Sequence, residues 1–486
     1  MKKLEINDII GSLDGEEFRK FGAFISSPYF AVSKRVADLY QFISRNYSSA
    51  VSGKLPRLQA AEAVLGSSFS DDNARKLFSD LNKAVEDFLV IEAFQHDEKN
   101  RQLSLLKALR KKGEMYKHAQ KLKEFTRLLG AMEPGQLSYR LGSEASEEEF
   151  TALDPGSFHE YSPALQKWSS MLDAYYITSK LLIYEYMYSK QLLNKSGQNY
   201  TWSMADEISS FIESNRETIQ EDNPDIYLKY LMIKMIRGKD DSLMVEYSEF
   251  LRNNESRFST ESTASFYSDL YNYATIRIGA GRHEFRRPFL NLIKEIEPRG
   301  LLLDDGGKIH IYTFKQIADT AFHLKEIQWA EDFIKRYKDK LGTLCPQNIL
   351  TLMTAKLLYF QDNVAKARIE LDKISLDDYI IYLDAKSFGI CMEYDEGDFS
   401  SCIMNIEALS KYLKHKKEIP ESLIVSSNRF KYYIRKLIDF KENTADSFYL
   451  LKLAEEIYGE DAPVYGKEWI RDKIEELGKK VKGGLW

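Results

Sequence analysis

Apolar residues along this chain recur at the spacing of an α-helix, and in one stretch the same arrangement returns three times. Between Tyr312 and Leu413 the sets Ile327, Ala330, Ile334, Tyr337, then Val364, Ala367, Leu371, Ile374, then Phe399, Cys402, Ile406, Leu409 share one internal spacing. A large apolar residue lies three before a small one, and two more follow the small one by four and seven. That is one apolar face of a helix. The small residues are 37 and 35 apart. A fixed period in this range predicts stacked helical hairpins.

The phase of the pattern separates a hairpin from one long helix. In the first copy Phe314, Ile317, Ala318 and Ala321 form a stripe, and Ala330, Phe333, Ile334 and Tyr337 form another, offset by 16 residues. At about 100° per residue the stripes would lie roughly 160° apart on a continuous helix. A turn near Lys325-Glu326 brings both onto one core. Gln361-Asp362-Asn363 and Asp395-Glu396-Gly397-Asp398 mark the turns of the other copies.

The copies resemble tetratricopeptide repeats, a helix–turn–helix unit. Phe314, Ile317, Ala318 and Ala321 fall on that family's first-helix signature columns, and Ala330, Ile334 and Tyr337 on its second-helix columns. Ala321 is small where the family is usually aromatic, Tyr337 is large where it is usually Ala, and no helix-ending Pro follows. The resemblance covers about a fifth of the chain and implies an all-α fold of stacked antiparallel hairpins, an α-solenoid. The whole chain also resembles a group of long all-helical bacterial proteins with an N-terminal segment like Phe21–Phe30. That likeness implies no activity.

Elsewhere the same reading predicts three parts. Residues 1–130 form an N-terminal helical module. In it, Asp14-Gly15-Glu16-Glu17 opens a helix that stops before Ser27-Pro28-Tyr29-Phe30, which is either a contact motif or a turn whose aromatics plug the core. Ser33 caps a second helix, and Asp71–Asp72 begins a third through Leu77, Leu81, Val85 and Phe88. The module ends in a hairpin that turns at Lys112-Gly113, with Met115, His118, Leu122 and Phe125 in the repeat's columns and His118 in place of the small residue. Residues 131–162 read as a linker or long loop, with Pro134-Gly135, the acidic run Glu144–Glu149 and Pro155-Gly156. The acidic run either folds back on the basic hairpin or is a solvated loop. Residues 163–486 form the repeat array. It has earlier turns at Gly238-Lys239-Asp240 and Gly279-Ala280-Gly281, a helix–helix connection at Asp304–Lys308, and three closing helices over Ser422–Phe440, Thr444–Tyr458 and Tyr465–Leu477.

Composition adds little to this. A net charge of −6 predicts no global attraction to nucleic acid or an anionic membrane. No run is apolar enough to cross a membrane, the segment Met1–Asp8 lacks the apolar core of a signal peptide, and Cys345, Cys391 and Cys402 form no paired framework. The expectation is a cytoplasmic protein. Gly483–Trp486 reads as a frayed end or a short docking tail.

No chemistry is legible. Gly53-Lys54 and Gly238-Lys239 lack the rest of a phosphate loop, and Gly279-Ala280-Gly281 lacks a third glycine. His283-Glu284-Phe285-Arg286-Arg287 begins like a zinc helix without the second histidine, and the seven histidines, His159 among them, stand singly. The reading is of a protein without catalytic residues, metal or cofactor.

Two functions fit. The first is a scaffold that binds a protein or peptide in a concave groove lined by first helices. By resemblance the groove columns fall on Tyr312, Lys315, Asp319, Phe322 and His323, then Ile349, Leu352, Lys356, Tyr359 and Phe360, then Asp384, Ser387, Cys391, Tyr394 and Asp395. Either this face binds a partner or it packs against the chain itself. The alternative is a nucleic-acid or acidic-partner binder. Between Lys99 and Arg127 ten Lys/Arg stand against Glu114 and Glu124, a local balance of +8. Lys107, Arg110, Lys111, Lys112, Lys117, Lys121, Lys123 and Arg127 carry that patch.

Overall fold

A computed structural model describes the chain except for residues 1–9, 31, 52–55, 154–161, 193–198, 239, 280–281, 305, 343–345, 376–377, 416–418, 444–446, 460–463 and 481–486. Met1–Asp8, Gly53-Lys54, Pro155-Gly156, His159, Lys239, Ala280-Gly281, Cys345 and Gly483–Trp486 therefore lie wholly or partly outside the described residues. The fold is all-helical: among those residues there is no strand, only a parallel bridge between Ile309 and Leu341. Two compact units are present. One comprises residues 1–132 and 137–173, the other 133–136 and 174–486.

The first unit contains α1 (Gly15–Ser26), α2 (Lys34–Arg45), the short α3 (Tyr47–Val51), α4 (Arg57–Leu65), α5 (Asp71–His96), α6 (Glu98–Lys111), α7 (Met115–Gly130) and nearly all of α8 (Gln136–Thr151). Asp14 caps α1 by accepting from Glu16 and Glu17 amides, and Glu17 returns to the Asp14 amide, a full capping box. Ser33 caps α2 and Ser70 caps α5. Phe21, Leu39, Ile43, Val85 and Phe88 centre the core of α1, α2, α4 and α5. Gly22 is needed where Tyr40 crosses α1, since a Cβ there would run into the Tyr40 hydroxyl. Of the turn aromatics, Phe30 stacks on Phe24 at 4.3 Å, but Tyr29 is 87% exposed and plugs nothing.

The stretch 131–162, expected as a linker, is helical through α8. Its buried face is Tyr139, Leu141, Gly142, Ser143, Ala145, Ser146 and Glu148. Small and charged residues fill most of that face, so a search for apolar periodicity passes over it. The division between units falls instead at Asp173, inside the long helix α9 (Pro163–Leu192).

The second unit continues with α10 (Ala205–Ser214), α11 (Arg216–Asp222), α12 (Pro224–Gly238), α13 (Leu243–Asn254), α14 (Thr260–Gly279), α15 (Arg286–Ile296), α16 (Ile311–His323), α17 (Ile327–Tyr337), α18 (Pro346–Phe360), α19 (Val364–Leu371), α20 (Tyr379–Glu396), α21 (Phe399–His415), α22 (Glu421–Asn443), α23 (Ser447–Tyr458) and α24 (Lys467–Lys480). Helices α16 and α17, α18 and α19, and α20 and α21 pack as pairs, and α16 also packs on α18 and α18 on α20.

One turn joins each of these pairs. Lys325, Asp362 and Gly397 adopt left-handed backbone with φ of 60°, 59° and 79°. The next amide closes back on the carbonyl five residues earlier: Glu326 to Ala321 at 2.9 Å, Asn363 to Leu358 at 2.8 Å, Asp398 to Glu393 at 2.9 Å. This is the Schellman closure of a helix end. Five residues after each left-handed residue come Ala330, Ala367 and Cys402, all fully buried. The α6–α7 turn repeats the scheme, with Gly113 at φ 73°, the Glu114 amide on the Leu109 carbonyl at 3.0 Å, and His118 buried five residues on. Lys325 and Asp362 hold a conformation that costs a side-chain-bearing residue about 1–2 kcal/mol, which the helix packing on either side must outweigh.

The last three helices share one core with the third pair. Ile390, Cys402, Ile406 and Leu409 pack with Phe430, Ile434, Leu450, Ile457, Ile470 and Ile474.

Candidate functional site

The first helices α16, α18 and α20 present aligned residues to one another. Lys356 of α18 donates to Asp319 of α16 at 2.7 Å and to Asp384 of α20 at 3.2 Å. Lys315 donates to Asp319 at 2.8 Å and also contacts Asp384. Two lysines and two aspartates thus alternate, each cation between both anions, and every one of the four side chains is less than one fifth exposed. Burial works against both charges, but the lysines outweigh it and hold Asp319 and Asp384 below the usual carboxylate range. Burial likewise opposes the Lys315 charge, and Asp319 and Asp384 together raise it above an ordinary lysine. A neutral, nucleophilic lysine is what this arrangement prevents.

The chain's own C-terminal region lies over this face. The Tyr465 hydroxyl donates to Asp384. Trp469 of α24 donates its indole N–H to Asp395 at 3.3 Å, Lys473 pairs with the same carboxylate at 2.9 Å, and Tyr359 donates to it at 2.6 Å. Trp469 also meets Tyr394 edge-on at 5.2 Å. One residue before Trp469, Glu468 contacts the buried Arg286 and lies 3.8 Å from His283 and 3.9 Å from His323. Burial, then the neighbouring Arg286, pushes His283 down to about 4, and the same causes lower His323. Both imidazoles are therefore neutral at pH 7. Burial also lowers the Arg286 guanidinium to about 10, still charged at neutral pH.

The expected groove residues are thus brought together, but not as an open surface. Phe322 is 1% exposed and stacks on Phe360 at 5.3 Å, and Tyr394 is 1% exposed. Tyr312 donates to Asp378 at the start of α20 at 3.1 Å. His323 alone of the first-copy set keeps a large exposed fraction, 42% of its side chain. Of the two readings of this face, the geometry is that of packing against the chain itself. Asp384, Tyr465, Arg286, His283 and Glu468 complete the site. Only Asp384 lay in an aligned column; the others pair across long sequence separations and leave no local signal.

No protein-family model, curated protein or solved structure matches the chain.

Two further expectations meet the structure here. Burial holds the Cys391 thiol well above its ordinary value and pushes Cys402 up to about 12, so neither is a thiolate at neutral pH. In the basic hairpin, the acidic run does fold back. Lys107 pairs with Glu144 at 2.9 Å, and Arg110 grips the buried Glu148 through two bonds of 2.8 and 3.0 Å. Lys117 and Lys121 have local partners in Glu114 and Glu124. Lys111, Lys112, Lys123 and Arg127 keep the exposed charge.

Proposed function

We propose that this protein is a non-enzymatic helical-repeat scaffold, a tetratricopeptide-like α-solenoid, that binds a protein or peptide partner in the reducing interior of the cell. The observation that supports the reading is the turn scheme. Three successive hairpins place a left-handed residue, a helix-end closure and a fully buried small residue at the same offsets. Hairpins so alike stack in register and leave a long, repetitive surface. Lys315 and the two thiols found inside that stack are held in unreactive protonation states, which suits a binding protein more than a catalyst. Because the C-terminal helix takes up the first-helix face of the last three hairpins, the partner of this scaffold engages surface that α24 leaves free.

The alternative, nucleic acid or an acidic partner at residues 99–127, retains one supporting observation, the four exposed cations Lys111, Lys112, Lys123 and Arg127. Cross-linking the tagged full chain in its native cell, followed by titration of what is recovered, separates the two. The scaffold reading expects a protein that forms a saturable complex with the pure chain at moderate salt. Recovery of nucleic acid alone, released as salt rises, would overturn it.

A further inference from the structure

The second helices α13 and α15 frame an open slot that none of the described residues fills. Its volume is about 370 Å³, within the range of roughly 300–1,000 Å³ typical of ligand pockets. The floor is Met244, Leu270, Phe285 and Leu292; Val245 and Pro288 form the lips. Salt bridges close both ends. At one, Arg252 of α13 grips Glu295 of α15 through two bonds of 2.8 and 2.9 Å; at the other, Asp241 pairs with Arg282 at 3.1 Å. Val245 is 63% exposed, so the slot is open along one side.

The polar groups along it are unequally committed. Asp241 is already matched by Arg277, Arg282 and Tyr273, Glu284 by Arg282, and Glu295 by Arg252. Glu249, exposed on the α13 rim, sits in no hydrogen bond or ion pair among the described residues and feels Arg252 only at a distance. Ser248 and Asn291 on opposite walls also make no side-chain hydrogen bond there. The slot therefore offers an apolar floor, one unmatched negative charge, and no unmatched positive one.

We propose that this slot docks a peptide segment carrying a bulky apolar side chain next to a lysine or arginine. The apolar side chain enters between Val245 and Pro288 onto Leu270 and Leu292, and the cation reaches Glu249. An open, shallow slot favours a peptide, which covers it from outside, over a small molecule that needs enclosure. The site lies on second helices and stands whether or not any other face of the scaffold binds a partner.

The test uses the full chain and three fluorescein-labelled, end-blocked peptides: Gly-Leu-Trp-Lys-Gly, its charge-reversed form Gly-Leu-Trp-Glu-Gly, and Gly-Ser-Ser-Lys-Gly. Anisotropy should show saturable binding of the first, and at least about tenfold weaker binding of the other two. Val245→Arg, at an exposed position, should abolish binding with helical circular dichroism unchanged, and Glu249→Lys should reverse the preference between the charged peptides. No binding of the first peptide at millimolar concentration, or equal binding to wild type and Val245→Arg, would overturn the proposal.

Discussion

Lys356 bonds Asp319 at 2.7 Å across two successive hairpins, and both residues occupy the same first-helix column. Removing one member of a buried ion pair costs about 3–5 kcal/mol, because the other charge is left without compensation. Lys356→Met leaves Asp319 and Asp384 sharing Lys315 alone and should lose stability of that order. Lys356→Met with Asp319→Leu leaves one lysine facing one aspartate, and should be more stable than Lys356→Met alone. Urea unfolding of the cycle measures this; strictly additive losses would dissolve the quartet.

The histidines beside Arg286 give a pH signature. His283 ordinarily titrates near 6.5 and is held down to about 4 in the fold. Between those values the unfolded chain takes up a proton that the folded chain refuses, so stability falls as pH drops from 6.5 toward 4. His283→Phe should reduce the slope there, leaving the share of His323, and should leave intact the loss below about pH 4, where the unfolded chain takes up protons that Asp319 and Asp384 refuse in the fold. An unchanged slope between pH 6.5 and 4 would place His283 in water.

Ala330 and Ala367 are fully buried five residues beyond the left-handed turn residues. Leucine at either position should overpack the hairpin by about 1–3 kcal/mol, visible as a lowered melting temperature. If both variants melt with wild type, the shared hairpin geometry is absent.

These residues also mark how far the sequence could be read. The turn at Lys325 was legible because apolar stripes change phase across it, those at Asp362 and Gly397 from their turn-forming residues, and the small residues beyond all three as a column. Helix α8 was not, because Gly142, Ser143, Ser146 and Glu148 bury its inner face and carry no apolar period. Whether the acidic run folds back or stays in solvent was left open by the sequence, because its partner Arg110 lies 38 residues away. The closed first-helix face was invisible in a stronger sense. Lys315, Lys356, Phe322 and Tyr359 have the composition of a binding surface, and the difference between a binding surface and an internal seam is where Tyr465, Glu468 and Trp469 fold. Local pattern carries no information on that.

The first-helix face of these hairpins is internal, with Glu468, Trp469 and Lys473 of α24 packed onto it. Replacing Lys315, Phe322, Lys356 and Tyr359 together with alanine tests it most directly, read by urea unfolding against wild type. The expected result is a folded state weakened by several kcal/mol or lost, because two buried aspartates lose their cations, Phe360 loses its ring partner Phe322, and Asp395 loses the Tyr359 hydroxyl while keeping Trp469 and Lys473. A quadruple variant that unfolds at the wild-type urea concentration would contradict it, and would return this face to the role of an open partner-binding groove.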